Sequence, residues 1–324
     1  MNLEDIQSLH LDKNKFYFVL PWGLGDTMIF CGLKQALEEK LGGEVHFIIK
    51  PSQEIIMKMY RISSYMLIKM DAMNKQQRQI LFQYAKLNPN PRKGNLYIAH
   101  PEFHPQYEYL QTQMGNPTSE TKFLTWYKDF LGLLNSVPMR HPLWYPVVSD
   151  DLKKRLSEKV SVPVNKIILI FPEANSITGI STSFWKTLIK KLPKGQLLTN
   201  SLHPEYFEDF SDIPNIDLSL EEAVALALNC KEVYALRSGI CDLIFSKGKN
   251  LHVFYPSKNI RSVFSLNDCF DTQQIDEVLI SSEENFVKLY PQKAMRIGLF
   301  RKVAYSMVSK YYFLGINFIT KVQR

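Results

Sequence analysis

Phe16-Tyr-Phe-Val-Leu-Pro-Trp-Gly-Leu-Gly-Asp26 is an apolar strand that runs into a glycine turn, and an amphipathic stretch follows it. About 210 residues later the pattern returns as Glu232-Val-Tyr-Ala-Leu-Arg237-Ser-Gly-Ile-Cys-Asp242. In each case a strand ends in a small-residue turn that opens a helix. Such a turn lets backbone N–H groups and the positive helix end face an anion. Two of them in one chain imply two nucleotide-binding-type halves.

Outward from these junctions the chain alternates strands and helices. In the first half the pattern predicts strands at 16–21, 44–49, 65–70 and 95–99. It places helices at 26–40, 52–60, 73–87 and 120–134. Met28, Ile29, Leu33, Ala36 and Leu37 recur at helical spacing, and Gly42-Gly43 is a natural stop. The second half predicts strands at 166–171, 195–199, 232–236 and 251–255, with helices at 183–192, 219–229 and 241–247. Ser219 followed by Glu222 reads as a capping box. The expected fold class is α/β, two Rossmann-like domains facing across a cleft. Ligands of such sheets bind beyond the strand C-termini. The proline-rich His141-Pro-Leu-Trp-Tyr-Pro146 marks the break. The reading is an acceptor-side domain over 1–148, a nucleotide-sugar domain over 149–284 and a basic tail over 285–324.

Bulk composition narrows the class. At 45% hydrophobic and 22% charged residues the chain is that of a soluble globular protein. Its four cysteines have no CxxC spacing, which fits a reducing compartment and gives no zinc site. The N-terminus has no basic and then apolar signal pattern, so a cytoplasmic location is expected. The net charge of +7 is local. Eight basic residues and no acidic one fall in 285–324, leaving 31 basic against 32 acidic elsewhere. With aromatic and aliphatic residues between the charges, this amphipathic tail reads as a contact for an anionic membrane surface, and no nucleic-acid partner is expected. The alternative is a closing helix packed on the body.

Each junction excludes some chemistry. Gly23-Leu-Gly25 holds only part of the dinucleotide fingerprint, and the next strand ends in Lys50 where a ribose-binding acid belongs. There is no P-loop. Asp26, in the first turn of its helix, is either a cap or a carboxylate able to take a proton from an acceptor hydroxyl.

Together these junctions resemble the GT-B glycosyltransferases of the lipopolysaccharide heptosyltransferase type. That resemblance implies Asp26 as catalytic base and a late turn that contacts the donor diphosphate. The matching turn is Arg237-Ser238-Gly239-Ile-Cys-Asp242. It departs from the family's Asp-[Ser/Thr]-Gly-x-x-His and is similar to distant capsule and O-antigen transferases. The expected activity is an inverting transfer from a nucleotide-sugar donor to a glycan or lipid-linked acceptor. In that scheme Arg237 and the N–H groups of Ser238 and Gly239 stabilise the leaving diphosphate. No DxD motif is present, so no metal is expected. No cofactor is expected either, the nucleotide sugar being a substrate.

Further donor contacts are expected at Gly23, Gly25, Glu173, Asn175, Ser176, Thr199, Asn200, Ser219 and Glu222, though turn formation and capping account for them equally well. His100, in Tyr97-Ile-Ala-His100-Pro-Glu102-Phe-His104, is expected to orient an acceptor hydroxyl or assist as a base. Trp22, Trp126 and Trp185 read as packing, and Asp242 as a cap. The rivals are a sugar-binding scaffold with a transferase-like fold and a nucleotide-sugar epimerase.

Overall fold

The computed structural model describes residues 11–68, 75–92, 95–110, 122–174, 179–201, 213–270, 272 and 274–280. Asn175, Ser176 and the basic tail at 285–324 lie outside these. The chain divides into two compact units at Leu143/Trp144, five residues before the break at 148/149 expected from sequence.

The first unit holds a four-stranded parallel sheet in the order β3-β2-β1-β4. Its strands are β1 (Phe16–Val19), β2 (Val45–Ile49), β3 (Tyr65–Leu67) and β4 (Leu96–Ile98). Helices α1 (Leu24–Leu41), α2 (Glu54–Tyr60), α3 (Lys75–Leu87) and α4 (Phe123–Phe130) accompany them. Tyr17, Val19, Ile48, Leu96 and Ile98 pack one sheet face against Leu81 and Phe103. On α1 the expected stripe holds only in part: every residue from Thr27 to Leu33 is buried, so these two turns are enclosed on all sides. A one-sided pattern appears only beyond them, with Leu37 and Leu41 buried and Ala36 half-buried. Gly42 ends α1 in the left-handed region, at φ 72°, with its N–H on the Glu38 carbonyl 2.8 Å away. A side chain there would be strained, which is why a glycine stops this helix. Gly32 has a different reason. The Met139-Arg140 segment crosses the helix so closely that a Cβ would lie 2.4 Å from Met139 Cγ.

The second unit is a five-stranded parallel sheet in the order β6-β5-β7-β8-β9. Its strands are β5 (Ile168–Phe171), β6 (Leu197–Thr199), β7 (Glu232–Leu236), β8 (Leu251–Tyr255) and β9 (Asp276–Leu279). The helices are α5 (Asp150–Ser157), α6 (Thr182–Ile189), α7 (Leu220–Asn229), α8 (Gly239–Leu243), α9 (Lys258–Phe264) and α10 (Leu266–Cys269). All four residues of β5 are buried, as a strand covered on both faces requires. Three helices (α5, α9, α10) and β9 go beyond the sequence reading. The Asp276-Glu-Val-Leu strand is too short and polar to show an apolar run, and it exists because β8 offers it a ladder. The helix expected at 241–247 is instead α8 followed by a 3-10 stretch over Phe245–Asn250.

Both sheets share one topological property. The chain lays down strands to one side of the first strand, then crosses to its other side. In the first unit this reversal falls between β1 and β4, in the second between β5 and β7. Ligands of open parallel sheets bind at such switch points, beyond the strand C-termini.

No helix among the described residues is long and apolar enough to cross a membrane.

Candidate active site

At the first switch point, β1 delivers Leu20-Pro21-Trp22-Gly23 and β4 delivers Ala99-His100. Gln53, buried at the start of α2, fastens the β1 turn. Its Nε2 lies 3.0 Å from the Trp22 carbonyl oxygen and 2.6 Å from Thr27 Oγ1, and its Oε1 accepts the Lys50 N–H at 2.7 Å. Thr27 Oγ1 in turn donates to the Gly23 carbonyl at 2.9 Å. Lys50 Nζ donates to the Pro21 carbonyl at 2.8 Å. Burial pulls the Lys50 ammonium below the ordinary lysine range, and the charge of Asp26 opposes that pull. Sequence patterning gave Gln53 no role, because a glutamine after a proline carries no signature of its own. Lys50 was visible as a basic strand end, without its contact.

Asp26 sits in this turn. Its Oδ2 accepts the Gly23 N–H at 3.1 Å, so it does cap α1. Its Oδ1 accepts the hydroxyl of Tyr127, a fully buried residue of α4. Gly23 lies at φ −84° and is exposed, so its backbone does not require a glycine. Gly25 falls within the first turn of α1.

His100 follows β4 directly. Its ring lies edge-on to Trp22, Trp126 and Tyr127, with centroids 5.6, 5.3 and 6.1 Å away. Burial holds its pKa well below the ordinary histidine range, with His104 and Arg78 adding in the same direction, so the ring is neutral at pH 7. Its Nδ1 accepts the Glu102 N–H at 3.2 Å. A neutral ring that accepts at Nδ1 carries its proton on Nε2. His100 is therefore a hydrogen-bond donor through Nε2–H, and the expectation that it serves as a base is corrected. The side chain keeps 12% of its surface exposed. Nearby, Arg78 lies 5.0 Å over the Trp22 ring and pairs with Glu102 at 3.3 Å. Trp22 also stacks on Phe103, with ring centroids 6.2 Å apart.

The second switch point brings Pro172-Glu173 beside Arg237-Ser238-Gly239. Here Arg237 departs from its expected role. Its side chain is 6% exposed, and it makes two 2.8 Å bonds to the Asp242 carboxylate. Nε reaches the Phe264 carbonyl and Nη1 the Ser238 carbonyl, each at 2.8 Å. A guanidinium so fully committed inside the protein braces the turn and is not presented to a diphosphate. Asp242 is likewise this arginine's partner and not primarily a cap. Ser238 occupies the N-cap position of α8 without a side-chain cap bond, and its hydroxyl makes only a 3.9 Å contact with Cys241 Sγ among the described residues. Gly239 is the first residue of α8.

The other expected donor contacts separate. Glu173 accepts the Ser201 hydroxyl. Thr199 is buried and bonds Asn215 Oδ1 at 3.0 Å, and Asn200 Nδ2 donates to the Ile216 carbonyl at 2.8 Å. Both side chains thus stitch β6 to the 213–216 segment. Ser219 and Glu222 form the capping box, with bonds of 2.8 and 3.3 Å, and Glu222 also pairs with Arg155. The capping reading therefore accounts for both. Of the residues named from sequence, the structure gathers Gly23, Gly25, Asp26 and His100 at one switch point, and Glu173, Ser238 and Gly239 at the other.

No protein-family model matches the sequence, and no curated protein matches it closely enough to count. Solved structures do match. The Escherichia coli ADP-heptose lipopolysaccharide heptosyltransferase II has a TM-score of 0.50 at 15% identity, covering 91% of this chain and 98% of its own. A glycosyl transferase family 9 protein from Veillonella parvula reaches 0.49 at 11% identity, covering 94% of each chain. A putative UDP-N-acetylglucosamine 2-epimerase from Listeria monocytogenes reaches 0.40 at 10% identity, covering 94% of this chain and 91% of its own. The first of these carries the conclusion: the chain has the two-unit α/β fold of the GT-B glycosyltransferases, the fold its junction motifs resemble.

Proposed function

We propose that this protein is an inverting, metal-independent GT-B glycosyltransferase that moves a sugar from a nucleotide-sugar donor to a cell-surface glycan or lipid-linked acceptor. The supporting observation is the Asp26 carboxylate, held by two hydrogen bonds at the switch point of the first sheet. The fold shared with a heptosyltransferase supports the same reading.

In this mechanism Asp26 takes the proton of an acceptor hydroxyl. The freed oxygen attacks the donor's anomeric carbon from the face opposite the diphosphate, and the C–O bond to that group breaks with its electron pair leaving on phosphate. A positioned base contributes about 10²–10⁴ in rate. His100 Nε2–H donates to an acceptor oxygen and so orients it. In the second unit Ser238 and Gly239 receive the departing diphosphate through N–H and hydroxyl groups, with Glu173 on donor hydroxyls. Arg237 serves this site indirectly, by fixing the turn. The basic tail at 285–324 brings the enzyme to the inner face of an anionic membrane.

The test is a screen of ADP-, UDP-, GDP- and CDP-linked sugars for donor turnover by wild type and Asp26→Asn, with and without EDTA. The reading expects turnover of at least one donor by wild type, insensitive to EDTA and lost in the variant. Equal turnover by both proteins would remove Asp26 from the mechanism. Co-sedimentation with phosphatidylglycerol vesicles, compared between the full chain and one ending at residue 284, tests the tail.

A further inference from the structure

We infer that Tyr127 is a positioning residue for the Asp26 carboxylate, fixing its orientation and setting the pH at which it works as a base. This rests on the reading of Asp26 as the base. The geometry is specific. Tyr127 has no exposed surface and lies 101 residues from Asp26 in sequence, on α4. Its ring is enclosed by Phe30, Phe123 and Trp126, with centroids 5.3, 5.2 and 5.2 Å away. A phenylalanine would fill that space equally well. The hydroxyl is what distinguishes this residue, and it is donated to Asp26 Oδ1.

With Tyr127 on Oδ1 and the Gly23 N–H on Oδ2, the plane of the carboxylate is fixed. Hydrogen bonds from an O–H to an ionised carboxylate are charge-assisted and favour the ionised form. Tyr127 therefore keeps Asp26 ionised to lower pH than it would otherwise reach. Among the described residues, the ionisable groups beside the pair include Lys50 at the end of β2, together with His100 and Glu102 after β4. Tyr127→Phe keeps the ring that meets His100 and removes only the hydroxyl.

The experiment uses the full chain with ¹³C-labelled aspartate, the Asp26 carboxyl signal being assigned by its loss in Asp26→Asn. Tyr127→Phe is expected to raise the Asp26 pKa by about one unit. The acid limb of donor turnover should move up by the same amount, with kcat falling about tenfold and KM little changed as the carboxylate loses its fixed plane. Should Tyr127→Phe fold poorly, 3-fluorotyrosine at position 127 gives the opposite sign: a stronger donor lowers the Asp26 pKa. An Asp26 titration unchanged by both substitutions overturns the inference. So does a shifted titration with an unmoved acid limb, provided Asp26→Asn is inactive. Wild-type turnover by Asp26→Asn would instead bring down the base assignment itself, and the two failures are thereby told apart.

Discussion

Arg237 and Asp242 meet as two parallel N–H···O bonds of 2.8 Å inside the second unit, joining the end of β7 to the short helix after it. Burial alone would push the Asp242 carboxyl up, and Arg237 opposes that push. Removing one partner of such a pair leaves an uncompensated charge and typically costs about 3–5 kcal/mol. Arg237→Ala should therefore lower unfolding free energy by that amount in urea denaturation. Arg237→Lys should lose most of it too, because an ammonium cannot make the two-pronged contact. A diphosphate ligand at an accessible site would show the reverse, with stability unchanged and donor affinity lost.

Asp26→Asn keeps an acceptor oxygen for the Gly23 N–H, so the α1 cap survives. Stability should change by less than about 1 kcal/mol, while donor-to-acceptor transfer falls by about 10²–10⁴. Thermal unfolding and single-turnover rates measured on the same preparation separate the two effects.

His100 is assigned as a donor from its Nε2–H. His100→Gln, which can also donate, should retain more transfer activity than His100→Phe, which cannot. The loss in His100→Phe should appear chiefly as weaker acceptor use, of about tenfold, the scale of one hydrogen bond. Acceptor-concentration series on the two variants decide the point.

His104 gives a pH dependence with a definite sign. Its ring is buried, one nitrogen lies 2.7 Å from the Ile98 carbonyl, and burial holds its pKa at about 4 against an ordinary 6.5. The unfolded chain therefore binds a proton that the folded chain refuses between these values. Stability is full above pH 6.5 and is lost as pH falls towards 4, by about 3 kcal/mol. His100 acts in the same direction. Denaturation midpoints at pH 7, 5.5 and 4.5 should decline along this course, and His104→Gln should flatten the decline.

Gly32→Ala tests the crossing of α1 by the Met139-Arg140 segment. The added methyl would lie 2.4 Å from Met139 Cγ and 2.9 Å from the Arg140 carbonyl oxygen. A backbone atom cannot swing aside as a side chain can. A loss of about 1–3 kcal/mol is expected, read by thermal denaturation.

What sequence could and could not reveal follows from the range of the interactions. Local rules located the Gly42 stop, the Ser219 capping box and the apolar strands, because each depends on residues within a turn of one another. They also singled out Asp26, whose place after a Gly-x-Gly turn is local. Tyr127 was invisible as its partner, since nothing in an aromatic run on α4 points to a carboxylate 101 residues earlier. Arg237 misled for a related reason. A strand-end arginine before Ser-Gly has the pattern of an anion binder, and only the folded turn brings in the acid five residues on that already holds it. Thr199 and Asn200 occupy the right strand end, but the 213–216 segment running beside β6 engages their side chains.

The Gln53 amide also limits how the first unit can adapt. A single side chain ties together the end of one strand and the openings of two helices, so the segment carrying Gly23 moves as part of the scaffold. Substrates of different size must be accommodated by side chains around this rigid corner, and exchange of specificity between relatives should alter those neighbours while leaving the corner's own backbone path intact.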